Sequence, residues 1–85
     1  MVIKIITPDE KVFEGDVISS KLPGVSGGFE VLKDHAAIVS LLETGKLRLR
    51  DDSGKDTNLE IDGGVVEVLK NQIVVLAESA KAIAE

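Results

Sequence analysis

The sequence predicts an all-β protein, a flattened β-sandwich or barrel of about eight to ten short strands with a short helical stub at its C-terminus. Three observations predict this class. Apolar and polar residues alternate with a period of two in several segments, most strictly in KLRLR at 46–50. Turn residues separate the extended segments at intervals of about eight to twelve residues. Helix-forming residues dominate only the last stretch, ESAKAIAE at 78–85.

The N-terminal half of the chain contains two predicted extended regions and one ambiguous region. VIKIIT at 2–7 is β-branched and ends at Pro8, which begins a turn. KVFEGDVISSKL at 11–22 is predicted as two short extended pieces with a bend at Gly15. HAAIVSLLETG at 35–45 favours a strand weakly by its alternation, whereas its apolar residues at i, i+3 and i+4 would also suit a helix.

The sequence pattern of the C-terminal half predicts four strands, at 46–50, 57–62, 65–69 and 72–77. DDSGKD at 51–56 is rich in turn residues and forms the tip of the first hairpin. Gly63 and Gly64 permit a sharp bend or bulge before the third of these strands. KN at 70–71 joins the last two strands in a second short hairpin.

Length and composition restrict the function classes. Eighty-five residues form one domain, and with only two aromatic residues the core must consist of Val, Ile, Leu and Ala. The net charge of −5 and the scattered basic residues argue against nucleic-acid binding. The absence of cysteine suits a reducing compartment. No apolar run approaches the ~20 residues that span a bilayer, and the N-terminus lacks the features of a signal peptide. We therefore expect a soluble, cytosolic chain without direct membrane insertion.

Asp34 and His35 are the only residues that suggest an enzyme, with Ser40 or Ser26 as a possible nucleophile. Adjacent residues on an extended chain point to opposite faces, so Asp34 is poorly placed to orient the neighbouring imidazole. One histidine without cysteine cannot form a typical structural zinc site, and 51–56 lacks the spacing of a calcium loop. We expect no catalytic residue, metal or cofactor.

PGVSGG at 23–28 is rich in glycine but does not match a phosphate-binding loop. Gly24, Gly27 and Gly28 precede FEVL, which is predicted as a strand, and no Gly-Lys-Ser/Thr or Gly-x-Gly-x-x-Gly sequence is present. Two interpretations remain. The glycines supply positive φ angles in a turn, or they form a small-residue surface that admits the backbone of a partner.

Three motifs in order resemble the epsilon subunit of F-type ATP synthases, which is called delta in mitochondria. ITPDEKVFEGDVISSKLPG is similar to the family's opening strand, turn and second strand. GGFEVLKDHAAIVSLLETGKLRLR resembles the family pattern G-x-F-G-I-L-P-G-H-A-P-L-L-T-x-L-x-x-G-x-x-R-I. DGGVVEVLKNQIVVLAESA is similar to x-G-G-F-x-E-V-x-x-N-x-V-x-V-L-A-x-x-A. The resemblance covers Val2 to about Ala80.

The chain departs from the family pattern in one loop and in length. Glu30 stands where the family usually has Gly, Lys33-Asp34 replace its Pro-Gly, and Ala37 replaces a Pro. Typical members continue into a two-helix inhibitory domain, which binds ATP in some bacteria. The resemblance therefore implies a β-sandwich domain at 1–78 and the start of a truncated or absent helical region at 79–85, with no ATP site in this chain.

The resemblance implies a non-catalytic rotor subunit of a proton-translocating ATP synthase. Such a subunit docks gamma onto the membrane c ring and couples proton flow to ATP synthesis. The implied place is peripheral, on the cytoplasmic face of the bacterial inner membrane. The residues implied at the c ring are Ser26, Gly27, Gly28 and Glu30, and those implied at gamma are Thr7, His35 and Ser40.

A free-standing β-sandwich module that binds carbohydrate or peptide is the alternative function. Sugar-binding sites usually offer aromatic platforms, and this chain has only Phe13 and Phe29. A pull-down from membranes distinguishes the two functions, because only a stalk subunit should co-purify with gamma and the c ring.

Overall fold

Two five-stranded β-sheets make up the protein in a computed structural model that describes residues 1–83. The first sheet has the strand order β2-β1-β9-β8-β5, and the second has the order β10-β7-β6-β3-β4. The strands are β1 Val2–Ile6, β2 Lys11–Asp16, β3 Ser19–Leu22, β4 Phe29–Leu32, β5 Ile38–Leu42, β6 Gly45–Arg50, β7 Asp56–Ile61, β8 Gly64–Leu69, β9 Gln72–Ala77 and β10 Ala80–Ile83. The predicted all-β sandwich is confirmed.

Strand pairing is antiparallel except between β1 and β9, which run parallel. A parallel pair requires a long connection, and here almost the whole chain lies between its two strands. The pairing of β1 with β9 joins the β1–β2 pair to strands β9, β8 and β5 in the first sheet. Each of the two strands also has a local antiparallel partner, β2 for β1 and β8 for β9, and these local pairs do not predict the parallel pairing between β1 and β9.

The core lies between the sheets and is built from alternate residues of each strand. It consists of aliphatic side chains, as the composition predicted: Ile3, Ile5, Val17, Leu22, Val31, Leu42, Leu47, Leu49, Leu59, Ile61, Val66, Val68, Ile73, Val75 and Ala77. Phe13 and Phe29 pack against this cluster and remain partly exposed. Removal of each such aliphatic side chain from water contributes about 1.5–3 kcal/mol, which stabilises a domain of this size.

Both predicted hairpins form, and local side chains explain their turns. At the tip between β6 and β7, Asp51 Oδ1 accepts hydrogen bonds from the backbone N–H groups of Ser53 and Lys55, each at 3.0 Å. Between β8 and β9, Lys70 and Asn71 both have positive φ, at 50° and 61°. Two successive left-handed residues give the turn whose twist matches the flanking strands.

The C-terminal prediction is wrong where the structure describes it. Ala80–Ile83 form strand β10 and not a helix, while 84–85 of the predicted helical stub lie outside the described residues. β10 pairs antiparallel with β7, from Ala80 opposite Ile61 to Ile83 opposite Asn58. A free sheet edge offers these residues backbone hydrogen bonds, and that pairing overrides their helix propensity.

The structure also corrects the position of one predicted bend and resolves the region that the sequence left ambiguous between strand and helix. The bend in 11–22 lies at Val17–Ile18, because β2 continues through Gly15 to Asp16. Val17 N–H bonds to Met1, which directly precedes β1 of the first sheet, and Ile18 N–H bonds to Arg50 of the second, so the chain changes sheets between them. The ambiguous region 35–45 contains strand β5.

The connections gather at two ends of the sandwich. The glycine-turn end contains the connections 7–10, 23–28, 43–44, 62–63 and 78–79. The histidine end contains the connections 17–18, 33–37, 51–55 and 70–71. These two ends and the two outer sheet faces are the surfaces on which a functional site can lie.

Candidate functional site

A row of apolar side chains crosses four neighbouring strands on the outer face of the first sheet, whose other outward side chains include Lys4, Glu67 and Gln72. We define the apolar face as the outward side chains of β1, β9, β8 and β5 that are hydrophobic: Ile6, Val39, Leu41, Val65, Leu69, Val74 and Leu76. Strand register places Leu41 beside Val65, Val65 beside Leu76 and Leu76 beside Ile6 in one uninterrupted row. Val39 and Leu41 are 71% and 65% exposed. A contiguous exposed patch of this kind typically marks a protein interface.

The outer face of the second sheet is ionic instead. Its outward side chains include Lys21, Glu30, Lys46, Arg48, Arg50, Asp56, Glu60 and Lys81. Arg50 donates to both oxygens of Asp56, at 2.7 and 3.1 Å, and this pair lowers the pKa of Asp56 and raises that of Arg50. Paired charges suit a face that stays in water, so the two faces of the sandwich differ in the partners they fit.

The glycine turn at 23–28 is shaped by one close backbone approach and one positive φ. A Cβ on Gly24 would lie 2.6 Å from the Gly27 carbonyl oxygen and 2.9 Å from Phe29 Cε1, so this position requires Gly. Among the three glycines of the turn, Gly27 alone has a positive φ, at 126°. Ser26, Gly27 and Gly28 are all exposed at the tip. An open cleft of about 660 Å³ lies beside the tip, lined in part by Phe29 and Glu43.

Glu30 does not lie at the tip of this turn. Its carboxylate accepts hydrogen bonds from Ser19 Oγ and, at 3.0 Å, from Arg48 Nη2 over the second sheet. The hydrogen bond from Ser19, followed by the Arg48 guanidinium, lowers the pKa of the Glu30 carboxyl against an opposing effect of desolvation. The tip therefore offers backbone and hydroxyl groups, and the Glu30 carboxylate lies on the outer face of the second sheet, where it is bound by Ser19 and Arg48.

Replacement of Glu30 with Gln should make stability less sensitive to acid. A folded-state pKa below the usual 4.5 means that the carboxylate stabilises the fold above that pH, and that this contribution is lost as pH falls through the lowered pKa. We expect the fall in Tm between about pH 6 and pH 3 to be smaller in Glu30→Gln than in the parent chain. Thermal unfolding followed by circular dichroism measures this. The matched control is Glu67→Gln on the first sheet, and equal falls for Glu30→Gln and the parent would contradict the prediction.

The three residues implied at gamma are spread over the first sheet and its two ends. Thr7 lies at the glycine-turn end, where its hydroxyl donates to the Glu10 carbonyl oxygen at 3.2 Å. His35 is half-buried at the histidine end, with Nδ1 2.7 Å from the Ala36 carbonyl oxygen. Ser40 lies on β5, opposite Val66 of β8. The structure does not bring the three together, but the apolar face extends between them.

The environment of His35 offers no catalytic geometry. Asp34 is engaged by Asn71, to which its backbone N–H donates at 2.7 Å and from which its carboxylate accepts at 3.1 Å. The Asp34 carboxylate is bonded to Asn71, and the His35 imidazole lies 2.7 Å from the Ala36 carbonyl oxygen instead. Among residues 1–83 no group of three or more potential ligands could hold a metal ion. The same residues contain no helix long and apolar enough to cross a membrane.

Sequence reasoning missed the apolar face, although a signal for it is present. IVSLL in β5 and QIVVLA in β9 are almost continuously apolar, whereas a strand with one wet face alternates. Continuous apolar runs indicate strands that are covered on both faces. In the isolated sandwich only one face of these strands is covered, by the core.

A family model and curated relatives with similar sequences indicate the same family for this chain. The sequence model of the family described as ATP synthase, Delta/Epsilon chain, beta-sandwich domain matches residues 1–83. An ATP synthase epsilon chain of Nitratiruptor sp. is 40% identical over 92% of this chain and 60% of its own length. That of Chlorobium limicola is 36% identical over 89% of this chain and 86% of its own length. The chain spans about 60% of the length of several curated relatives.

Solved structures show the same fold at low sequence identity. A chain in the Euglena gracilis mitochondrial ATP synthase, in a structure of OSCP, F1 and c-ring, superposes with a TM-score of 0.91 at 21% identity over 96% of this chain and 52% of its own. A chain from the central stalk and c-ring of the Tetrahymena thermophila mitochondrial ATP synthase gives a TM-score of 0.79 at 18% identity over 94% of this chain and 64% of its own. The family resemblance in the sequence is confirmed, and the names of the relatives support the prediction of a non-catalytic chain. The chain belongs to the β-sandwich domain family of the ATP synthase delta and epsilon chains.

Proposed function

We propose that the chain is a central-stalk subunit that docks gamma onto the membrane c ring of a proton-translocating F-type ATP synthase. In this role it transmits rotation between ring and stalk, so that proton flow is coupled to ATP synthesis. It would be held peripherally on the cytoplasmic face of the bacterial inner membrane through its partners. The observation that carries the proposal is the apolar face, a sheet surface with the exposed hydrophobic side chains of a protein interface.

The apolar face is the proposed gamma interface. Four of its members, Val39, Leu41, Leu69 and Leu76, are between 48% and 71% exposed, and a partner that covers them gains hydrophobic free energy. His35 and Thr7 border the face at its two ends, and Ser40 lies on its outermost strand. A partner surface laid along the sheet would contact Thr7 and His35 at its two ends, whereas the Ser40 side chain lies on the other side of β5 from Val39 and Leu41 and would be reached only around the edge of the sheet.

The glycine-turn end is the proposed c-ring interface. Ser26, Gly27 and Gly28 are exposed there and present small groups that permit close approach of another backbone. The other connections of this end carry five carboxylates and no Lys or Arg: Asp9, Glu10, Glu43, Asp62 and Glu78. A negative end favours a partner surface that presents Lys or Arg side chains. In this arrangement Glu30 acts through Ser19 and Arg48, by holding β4 behind the turn.

Co-purification from bacterial membranes tests the proposal. The tagged chain should recover both gamma and the c ring from detergent-solubilised membranes. Recovery of the chain alone, or with a glycan or an unrelated peptide, would contradict the stalk function and favour a free-standing binding module. Purified gamma and purified c ring, each offered separately to the chain, then show whether the two partners bind at different surfaces.

A further inference from the structure

Asn71 connects three segments at the histidine end. Its side-chain Oδ1 accepts from the backbone N–H of Asp34 at 2.7 Å, and its Nδ2 donates to Asp34 Oδ1 at 3.1 Å. Its backbone oxygen accepts from Val2 N–H at 3.0 Å. We call the two side-chain hydrogen bonds the Asp34–Asn71 clamp. The clamp links residues 37 apart in sequence and ties the β4–β5 connection to the β8–β9 hairpin.

Both residues of the clamp have backbone conformations that most residues avoid. Asp34 has φ 65° and Asn71 has φ 61°. Asp and Asn are the side chains that best tolerate this region, because their short polar groups can hydrogen-bond locally. Asp34 stands where the family pattern has Gly, and in this chain its side chain gives the left-handed turn a group that can be held. The clamp gives that turn a specific partner.

The clamp acts on the connection that carries His35. The backbone N–H of His35 closes a turn onto the Leu32 carbonyl oxygen at 3.1 Å, and Asp34 is fixed between these two residues. Lys33, Ala36 and Ala37 of the same connection are exposed, so their packing restrains the connection little. The two hydrogen bonds between Asp34 and Asn71 therefore restrain the path of the chain immediately before the imidazole.

We propose that Asn71 is a positioning residue for the gamma interface, because it holds the 33–37 connection and thereby orients His35. The proposal rests on the proposed stalk function. The clamp restrains a connection, 33–37, that contains no proline. Without it, gamma would have to order the connection on binding, and affinity would fall by the entropy lost.

Two variants of the clamp test the proposal: a single variant that breaks it and a double variant that exchanges the carboxylate and the amide between the two positions. Asn71→Asp places two carboxylates together and removes the Nδ2 donor, while Asp tolerates the same φ. We expect amide exchange at 34–37 to rise about tenfold and gamma affinity to fall about tenfold. The double variant Asp34→Asn/Asn71→Asp restores a donor from position 34 and should return both quantities to near the parent values. Binding to the c ring, proposed at the opposite end, should be unchanged in all variants.

Hydrogen exchange on the free chain and gamma binding on the complex separate the possible outcomes. Unchanged exchange in Asn71→Asp, or a double variant that does not rescue it, would overturn the clamp. Faster exchange with unchanged gamma affinity would overturn the positioning role. If the parent chain itself fails to bind gamma, the stalk function is wrong, and exchange in the free chain still decides whether Asn71 holds the connection. Asn71→Gly keeps the left-handed turn and removes the side chain, so it should raise exchange at 34–37 and lower gamma affinity as Asn71→Asp does, and parent-like values in this variant would overturn the clamp.

Discussion

Replacement of Gly64 with Ala should lower the free energy of unfolding by about 3 kcal/mol or more. An added Cβ would lie 2.3 Å from the Leu76 carbonyl oxygen and 3.0 Å from Ala77 Cα. Both atoms belong to the backbone of β9, where Gly64 is in register with Ala77, so they cannot move without disrupting the pairing of β8 and β9. The φ of 145° adds further strain for any residue with a side chain.

Gly54→Ala is the matched control that separates backbone strain from the steric contact with β9. Gly54 also has a positive φ, of 86°, but an added Cβ would meet nothing within 4 Å. We expect that variant to lose about 1 kcal/mol from backbone strain alone. Urea unfolding of the parent and both variants measures the difference. Equal losses at the two positions would show that the contact with β9 is relieved cheaply, and the prediction for Gly64 would then be wrong.

Local chemistry explains why much of the fold could be predicted from the sequence. Strict alternation in KLRLR specified β6 with its buried leucines, and Asp51 with its neighbours specified the tip that follows. Lys70-Asn71 specified a two-residue hairpin because Asn tolerates a positive φ. Each of these features depends on residues within a few positions of one another, which a sequence pattern records directly.

The predictions that were wrong concern residues whose partners are distant in sequence. Ala80–Ile83 have helix-forming composition, yet β7 offers them a sheet edge. Gly15 is a plausible bend, yet the chain changes sheets at Val17–Ile18, where the hydrogen-bond partners change from Met1 to Arg50. The parallel pairing of β1 with β9 has the same origin. Propensity describes the isolated segment, and the tertiary partner decides between conformations of similar free energy.

The candidate site also contains features that could be predicted from local sequence and features that depend on residues distant in sequence. The glycine turn was evident from composition, whereas the apolar face depends on register across four strands. The position of Glu30 depends on Ser19 and Arg48, which lie on two other strands. His35 drew attention as a possible base, but the residue that determines its surroundings, Asn71, is 36 positions further along the chain. An interface assembled from several strands produces only a weak pattern in the sequence of any single strand.

Replacement of Leu76 with Asp should weaken gamma binding by about 100-fold, which corresponds to about 2.7 kcal/mol. Leu76 lies within the row of the apolar face, between Val65 and Ile6. Burial of an unpaired carboxylate under a partner is costly, whereas in the free chain the same carboxylate is exposed to water. The loss should therefore appear in binding far more than in folding. Isothermal titration of purified gamma with the parent and the variant measures it.

Ile18→Asp is the matched control, because Ile18 and Leu76 are both 48% exposed and Ile18 lies on the β2–β3 connection, outside the apolar face. The same chemical change there should leave gamma affinity within about twofold of the parent, as expected for a residue outside an interface. Leu76→Thr, which places a β-branched polar residue suited to a strand at this position, gives a second measurement if the Asp variant is poorly folded. Similar affinities for Leu76→Asp and Ile18→Asp in folded protein would show that gamma does not cover this face, because only an interface distinguishes two side chains of equal exposure.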